Sequence, residues 1–349
     1  MTNIILTFTL VTILVLIINF ILKKNGILLN FSGQNHQKYI NKKNIPLSGG
    51  IFFLTGFIFI FYQEFSLLFF FLSCLFILGI LSDLKIISSP IKRLLLQIIL
   101  VVCIVYFLNL EINSARISLI DNFLKNNLIN LLFVSFCIIV LINGSNFIDG
   151  LNGLLLLYSI IIFYVLFKLG LFEYSFDDKT ILSFIVFLTI ILIFNFCNFL
   201  FLGDSGAYSI GLILGFFLIS VYQFNPHISP YFIILLLWYP CFELLFSIIR
   251  KFNFNYSPVR PDVNHLHQLI FFILKKKFFK KRDLFVNNLA SLIINLYNFV
   301  LFFIASNYYT KTDIQLILIT LSILVYIVVY LNLLKLKKKM KFFFKYPLH

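Results

Sequence analysis

The sequence predicts an all-α, polytopic integral membrane protein of about eleven transmembrane helices, with its N-terminus outside and its C-terminus in the cytoplasm. Three observations carry that prediction. The 349 residues are 61% apolar and only 12% charged, whereas a soluble domain is about 45–50% apolar and about 25% charged. The apolar residues fall in long runs without the alternation of a barrel strand; Ile181–Phe194, for example, is apolar on every side. The basic residues are also distributed very unevenly between alternate connections. A single soluble core, a disordered chain and a collagen-like fibre are excluded by composition alone.

Taken in order, the apolar runs are 3–22, 49–62, 65–82, 94–108, 128–142, 153–170, 181–198, 206–222, 230–249, 287–306 and 313–334. A span needs about 20 residues, so the connections between them are short. The first run has no basic residue ahead of it and no small-residue cleavage site behind it. Lys23 and Lys24 follow instead, so it reads as a retained helix rather than a signal peptide. The run from 250 to 288 reads as a basic cytoplasmic loop, and 335–349 as a basic cytoplasmic tail.

Orientation follows from Lys and Arg. With the 23–48 connection placed in the cytoplasm, 23 of the 28 basic residues fall on that side. The other side holds Arg116, Lys125, Lys168, Lys179 and Lys311. The net charge of +15 is mainly this topology signal, strengthened by attraction to anionic lipid, and does not point to nucleic acid. The five cysteines are scattered singly in apolar runs, with no metal or redox spacing.

Of the five Asp residues on the cytoplasmic side, all but Asp283 lie in four polar clusters. Ser82-Asp83-Leu84-Lys85 is followed by Lys92-Arg93. Asn143-Gly-Ser-Asn146-Phe-Ile-Asp149-Gly-Leu-Asn152-Gly153 forms the second. Gly203-Asp204-Ser205-Gly206 is the third. The fourth is Ser257-Pro-Val-Arg260-Pro-Asp262-Val-Asn264-His265-Leu-His267. The basic-residue count places all four on one face, as an assembled site requires. Carboxylates with Asn and Ser oxygens are hard ligands that suit Mg²⁺. Arg, Lys and His supply donors to phosphate. Gly-Asp-Ser-Gly at a helix start is expected to offer free backbone N–H groups to an anion. Together these are the parts for phosphoryl transfer at a membrane surface. Each cluster alone also has a structural explanation as a cap, a turn or an interfacial histidine. A multi-pass transporter remains a rival, although its ionisable groups belong at mid-membrane.

The same four clusters, in this order, resemble the polyprenyl-phosphate N-acetylhexosamine-1-phosphate transferases, over roughly 46–330. The matching stretches are 82–97, Asn146-Phe-Ile-Asp-Gly-Leu-Asn-Gly-Leu154, Phe201-Leu-Gly-Asp-Ser-Gly206 and the Pro-Asp-x-Asn-His-Leu-His run ending at His267. The resemblance implies one transmembrane transferase domain over 1–349 in the bacterial inner membrane, with its site at the cytoplasmic face. It implies that undecaprenyl phosphate attacks the β-phosphorus of a UDP-N-acetyl sugar, releasing UMP, with Mg²⁺ or Mn²⁺ as cofactor. By position it makes Asp204 and Asp149 metal ligands, and Asp83, Asp149, His265 and His267 catalytic. Asn146, Lys85, Arg93, Asn152, Arg260 and Asp262 become substrate-binding residues. Membrane lipid and a second copy of the chain are the further partners it implies.

Three positions depart from the family's pattern: Ser82 replaces the first of two adjacent acids, Asn152 a later Asp, and Gln268 a further His. Losing an acid at 82 is expected to be tolerated, and Ser82→Asp to be neutral or activating. A phosphate monoester has a second pKa of about 6, so the lipid phosphate is already mostly dianionic and needs placement more than a base. The His-Leu-His form is more similar to enzymes that initiate O-antigen, enterobacterial common antigen or teichoic acid linkage units than to those transferring phospho-MurNAc-pentapeptide, which remains the alternative. UDP-GlcNAc is the expected donor, and UDP-GalNAc or a 6-deoxy-N-acetyl sugar fits equally well.

Overall fold

In a computed structural model, which describes residues 2–30, 44–61, 66–172, 177–253, 264–278 and 282–345, the chain is a helical bundle. Its helices are α1 (Thr2–Asn25), α2 (Gly49–Phe61), α3 (Ser66–Asp83), α4 (Pro90–Phe107), α5 (Ser118–Leu124), α6 (Asn127–Ile148) and α7 (Leu154–Lys168). They continue with α8 (Asp178–Phe196), α9 (Gly203–Phe224), α10 (Pro230–Leu236), α11 (Trp238–Asn253), α12 (Leu266–Lys277), α13 (Asp283–Ser306) and α14 (Thr312–Lys345). No strand occurs among the described residues; a single antiparallel bridge joins Leu29 to Pro46.

Among the described residues, seven helices are long and apolar enough to cross a membrane, or eight if the bent pair α10–α11 is one span. The expected eleven are therefore not reached on length and composition. Helices α2 and α7 are apolar but short. The 13 residues of α2 rise about 20 Å, less than a hydrocarbon core of about 30 Å. The ninth run, read as one span, breaks at Leu237 with a bend of 72°. Pro240 explains it: it has no N–H to continue the ladder, and its ring collides with the carbonyl four residues earlier. It is accommodated in the first turn of a new helix. The stretch 250–288 contains a short helix, α12.

The bundle is built around α9, which is buried on every side from Ser205 to Tyr222. A helix apolar all round belongs in the middle of a bundle. Around it Phe53, Phe57, Phe61, Phe163, Phe184 and Phe217 pack largely edge to face. That geometry sets the positive edge of one ring on the negative face of the next.

Two glycines let other helices approach the start of α9. A Cβ on Gly79 of α3 would stand 2.3 Å from the Ser205 Cα, and one on Gly50 of α2 would stand 2.6 Å from the Gly206 nitrogen. The backbone itself forms these contacts, so any side chain would force the helices apart. Hydrogen bonds from Phe201 to Pro46, from Gly49 to Phe201 and from Gly50 to Leu202 fix the same junction. A buried polar stripe on α13 holds α7 and α11 in register. Asn295 donates to the Leu154 carbonyl, and Asn298 accepts from the Trp238 indole. Buried amides persist because their hydrogen bonds are made within the bundle.

Candidate functional site

Four segments distant in sequence meet at one end of α9. The last residue of α3, the α6–α7 connection, the first turn of α9 and the first turn of α12 all contribute to a cavity of about 330 Å³. Asp83, Asn146, Asp149, Asn152, Asp204 and Gln268 line it.

Asp83 ends α3 and caps α9. Its Oδ1 accepts the Asp204 N–H at 2.8 Å and its Oδ2 the Ser205 N–H at 3.1 Å. These are the amides expected to be free for phosphate. Their position at the positive end of α9 is instead taken by a carboxylate of the chain. That corrects the expectation of an open anion site, and it gives Asp83 the task of fixing the turn that carries Asp204. The turn itself requires Gly203, at φ +70°, a left-handed conformation costly for other residues.

Asp204 is held through one oxygen. Its Oδ2 accepts from Arg93 at 2.7 Å, from Tyr208 at 3.3 Å and from the Ser82 hydroxyl. Arg93 also donates to Ser82 at 2.5 Å. Arg93 thus serves Asp204 and is not among the cavity-lining residues, which differs from its expected contact with substrate. The contact with Ser82 also overturns the expectation for Ser82→Asp. A carboxylate at 82 would replace a donor to Asp204 with a second negative charge, against which Arg93 alone would have to compensate. Ser82→Asp should therefore lower turnover by about tenfold, a change of roughly 1.4 kcal/mol in the barrier, measured as initial rate beside a Ser82→Ala control.

Asp149 follows the last turn of α6, its N–H donating to the Ser145 carbonyl, and its carboxylate has no hydrogen-bond partner among the described residues. Burial pushes its pKa well above the usual carboxylate value, and the charges of Asp204 and Asp83 push it further in the same direction. Asn146, one turn earlier, also lines the cavity, its amide without a hydrogen bond among the described residues. Asn152 is committed to the fold. Its N–H donates to Asn287 at 2.7 Å and its amide to Asn198 at 2.7 Å, while Gly153 donates to Asn195 at 2.6 Å. Asn195, Asn198 and Asn287 had no role on sequence grounds, because single asparagines in apolar runs carry no pattern.

His265 and His267 lie beside the cavity rather than in its wall. Their rings stack at 5.5 Å and 7°. His267 is fully buried, both its ring nitrogens lack partners among the described residues, and burial holds it neutral, with its pKa lowered to about 3. Its Nε2 would be 2.6 Å from a Cβ on Gly150, so the ring fills the space that Gly150 leaves. Gly150→Ala should consequently lower stability by about 1–3 kcal/mol, read as thermal unfolding in detergent. Lys85 is exposed in the turn after α3, at φ +59°, outside the cavity wall. Arg260 and Asp262 lie outside the described residues.

The donor set can be tested against a hard divalent cation. No group of three or more His, Cys, Asp or Glu gathers at metal distance among the described residues. Mg²⁺ does not need one: it is commonly held by one or two carboxylates and completed by water and phosphate oxygens. Among the described residues, the Asp149 carboxylate and the Oδ1 of Asp204 are the carboxylate oxygens of the cavity-lining acids left without hydrogen bonds, and they fit that pattern.

Residues 65–222 match the family model of glycosyl transferase family 4. The match spans α3 to α9, and so contains Asp83, Asn146, Asp149 and Asp204. The match covers less than half of the chain and is a similarity to that transferase family; the apolar helices agree with a membrane protein. Comparison with curated proteins found no match.

Proposed function

We propose that the chain transfers an N-acetylhexosamine-1-phosphate from a UDP-sugar, UDP-GlcNAc being the first choice, to undecaprenyl phosphate at the cytoplasmic face of a bacterial inner membrane. The product is a lipid-diphosphate-linked sugar that begins a cell-envelope polysaccharide such as O-antigen. The observation that carries this reading is the convergence of Asp83, Asp149 and Asp204 on one cavity at the end of the central helix, within the matched region.

An oxygen of the lipid phosphate attacks the β-phosphorus, the β-phosphorus–oxygen bond to the α-phosphate breaks, and UMP leaves with that oxygen. The lipid phosphate is already dianionic near neutral pH, so the attack needs orientation rather than a strong base. Asp149 and Asp204 would hold Mg²⁺ or Mn²⁺, which supplies charge neutralisation to the diphosphate. Arg93, Ser82 and Tyr208 fix the Asp204 carboxylate so that its Oδ1 is left for that purpose. Asp83 keeps the first turn of α9 in place. Asn146 offers its amide to the donor's diphosphate or sugar.

The test is UMP release by purified protein given undecaprenyl phosphate, Mg²⁺ and a panel of UDP-N-acetyl sugars. Release that needs both lipid and metal, and is stopped by EDTA, is expected with one donor. A folded protein that binds a donor yet never releases UMP contradicts the reading.

A further inference from the structure

One fully buried acid, Glu243, lies inside a membrane-spanning run and outside the four clusters. It sits in α11, just beyond the bend. A charge within a span is costly and persists where it has partners and a use. Glu243 has three partners on two other elements. Its Oε1 faces the His265 Nδ1 at 3.0 Å and accepts the Leu266 N–H at 3.3 Å. Its Oε2 accepts the Tyr326 hydroxyl at 2.8 Å. One carboxylate therefore joins α11, α14 and the first turn of α12.

The contact continues towards the cavity. His265 stacks on His267 and meets the edge of Phe147 at 5.1 Å. Phe147 sits between the cavity residues Asn146 and Asp149, and His267 lies against Gly150. Gln268 lines the cavity and accepts the His265 N–H at 3.3 Å. Any displacement of the His265 ring thus reaches the Asn146–Gly153 wall from behind.

We infer that Glu243 is a positioning residue, whose buried carboxylate sets the ring of His265 and, through the stacked pair, the Asn146–Gly153 wall of the cavity. Its kinetic consequence rests on the transferase reading; its structural consequence does not. Glu243→Gln keeps the shape and an acceptor for Leu266 but removes the charge. It should lower kcat about tenfold, in the range seen when the orienting partner of a functional histidine is lost, with KM for the sugar nucleotide within about twofold.

The decisive readout is a double-mutant cycle. If Glu243 acts through His265, Glu243→Gln costs nothing further in a His265→Asn chain. Independent, multiplicative losses would overturn the inference. A readout free of turnover accompanies it: ¹⁵N spectra of the histidine rings, with His265 assigned from its loss in His265→Gln. The His265 ring resonances should move on Glu243→Gln, and unmoved resonances would overturn the inference whether or not the protein releases UMP. If wild type releases no UMP from any donor, the transferase reading fails and the spectra alone decide the role of Glu243. Should Glu243→Gln not fold, Tyr326→Phe loosens the same carboxylate from its other oxygen and is read in the same spectra.

Discussion

Asp204→Asn abolishes UMP release and metal dependence and leaves the bundle folded. The reason lies in how the two carboxylate oxygens divide their work. Oδ2 takes Arg93, Ser82 and Tyr208, and the amide oxygen of Asn can take the same three donors. The amide nitrogen then stands where Oδ1 stood, presenting hydrogens to the cavity instead of a lone pair. A metal ligand is lost while the network behind it keeps an acceptor. Loss of a charge-stabilising group of this kind costs about 10²–10³ in kcat, and more where the cation itself is lost. Wild-type turnover by a folded Asp204→Asn chain would remove Asp204 from the mechanism.

Asp149→Asn has the same effect on activity and the opposite effect on stability. Burial and two neighbouring carboxylates raise the pKa of Asp149 in the folded chain well above 3.8. The sign follows from linkage. The folded state binds the proton more tightly than the unfolded state, so stability falls as pH rises from the unfolded pKa through the folded one. An amide never pays that ionisation cost. Asp149→Asn should thus be more heat-stable than wild type at pH 8, with the gain shrinking as pH falls towards 4. Thermal unfolding in detergent at both pH values, without added divalent cation, checks this. A gain that is equal at both pH values, or absent, would contradict the electrostatic account of Asp149. Activity lost together with stability gained is the signature of a residue kept strained for function.

Much of this was legible in the sequence, because hydropathy and charge are local properties. Runs of apolar residues gave helices at the expected places, and the clusters carrying Asp83, Asp149 and Asp204 do converge. The bend before Trp238 was also legible in principle: Pro240 inside an apolar run is a standing warning. Other features depend on contacts between distant segments. Asp83 in place of an external anion at the start of α9 required α3 to approach backbone to backbone at Gly79. The engagement of Arg93 with Asp204 joins positions far apart in the chain. Glu243 is an acid within an apolar run, but its partners His265 and Tyr326 come from segments beyond it, so its use cannot be read from its neighbours. Hydropathy marks eleven apolar runs but does not record that α2 and α7 are short, so length and composition count seven or eight spans among the described residues.

The most direct measurement follows the β-phosphorus. Purified protein is given UDP-GlcNAc labelled with ³²P at the β-phosphate, undecaprenyl phosphate and Mg²⁺, and the mixture is partitioned between organic and aqueous phases. Phosphoglycosyl transfer moves the label into the lipid phase in step with unlabelled UMP in the aqueous phase. Label that remains aqueous as UDP while sugar enters the lipid would show ordinary glycosyl transfer and contradict the account, and so would label that stays on intact donor with folded, donor-bound protein.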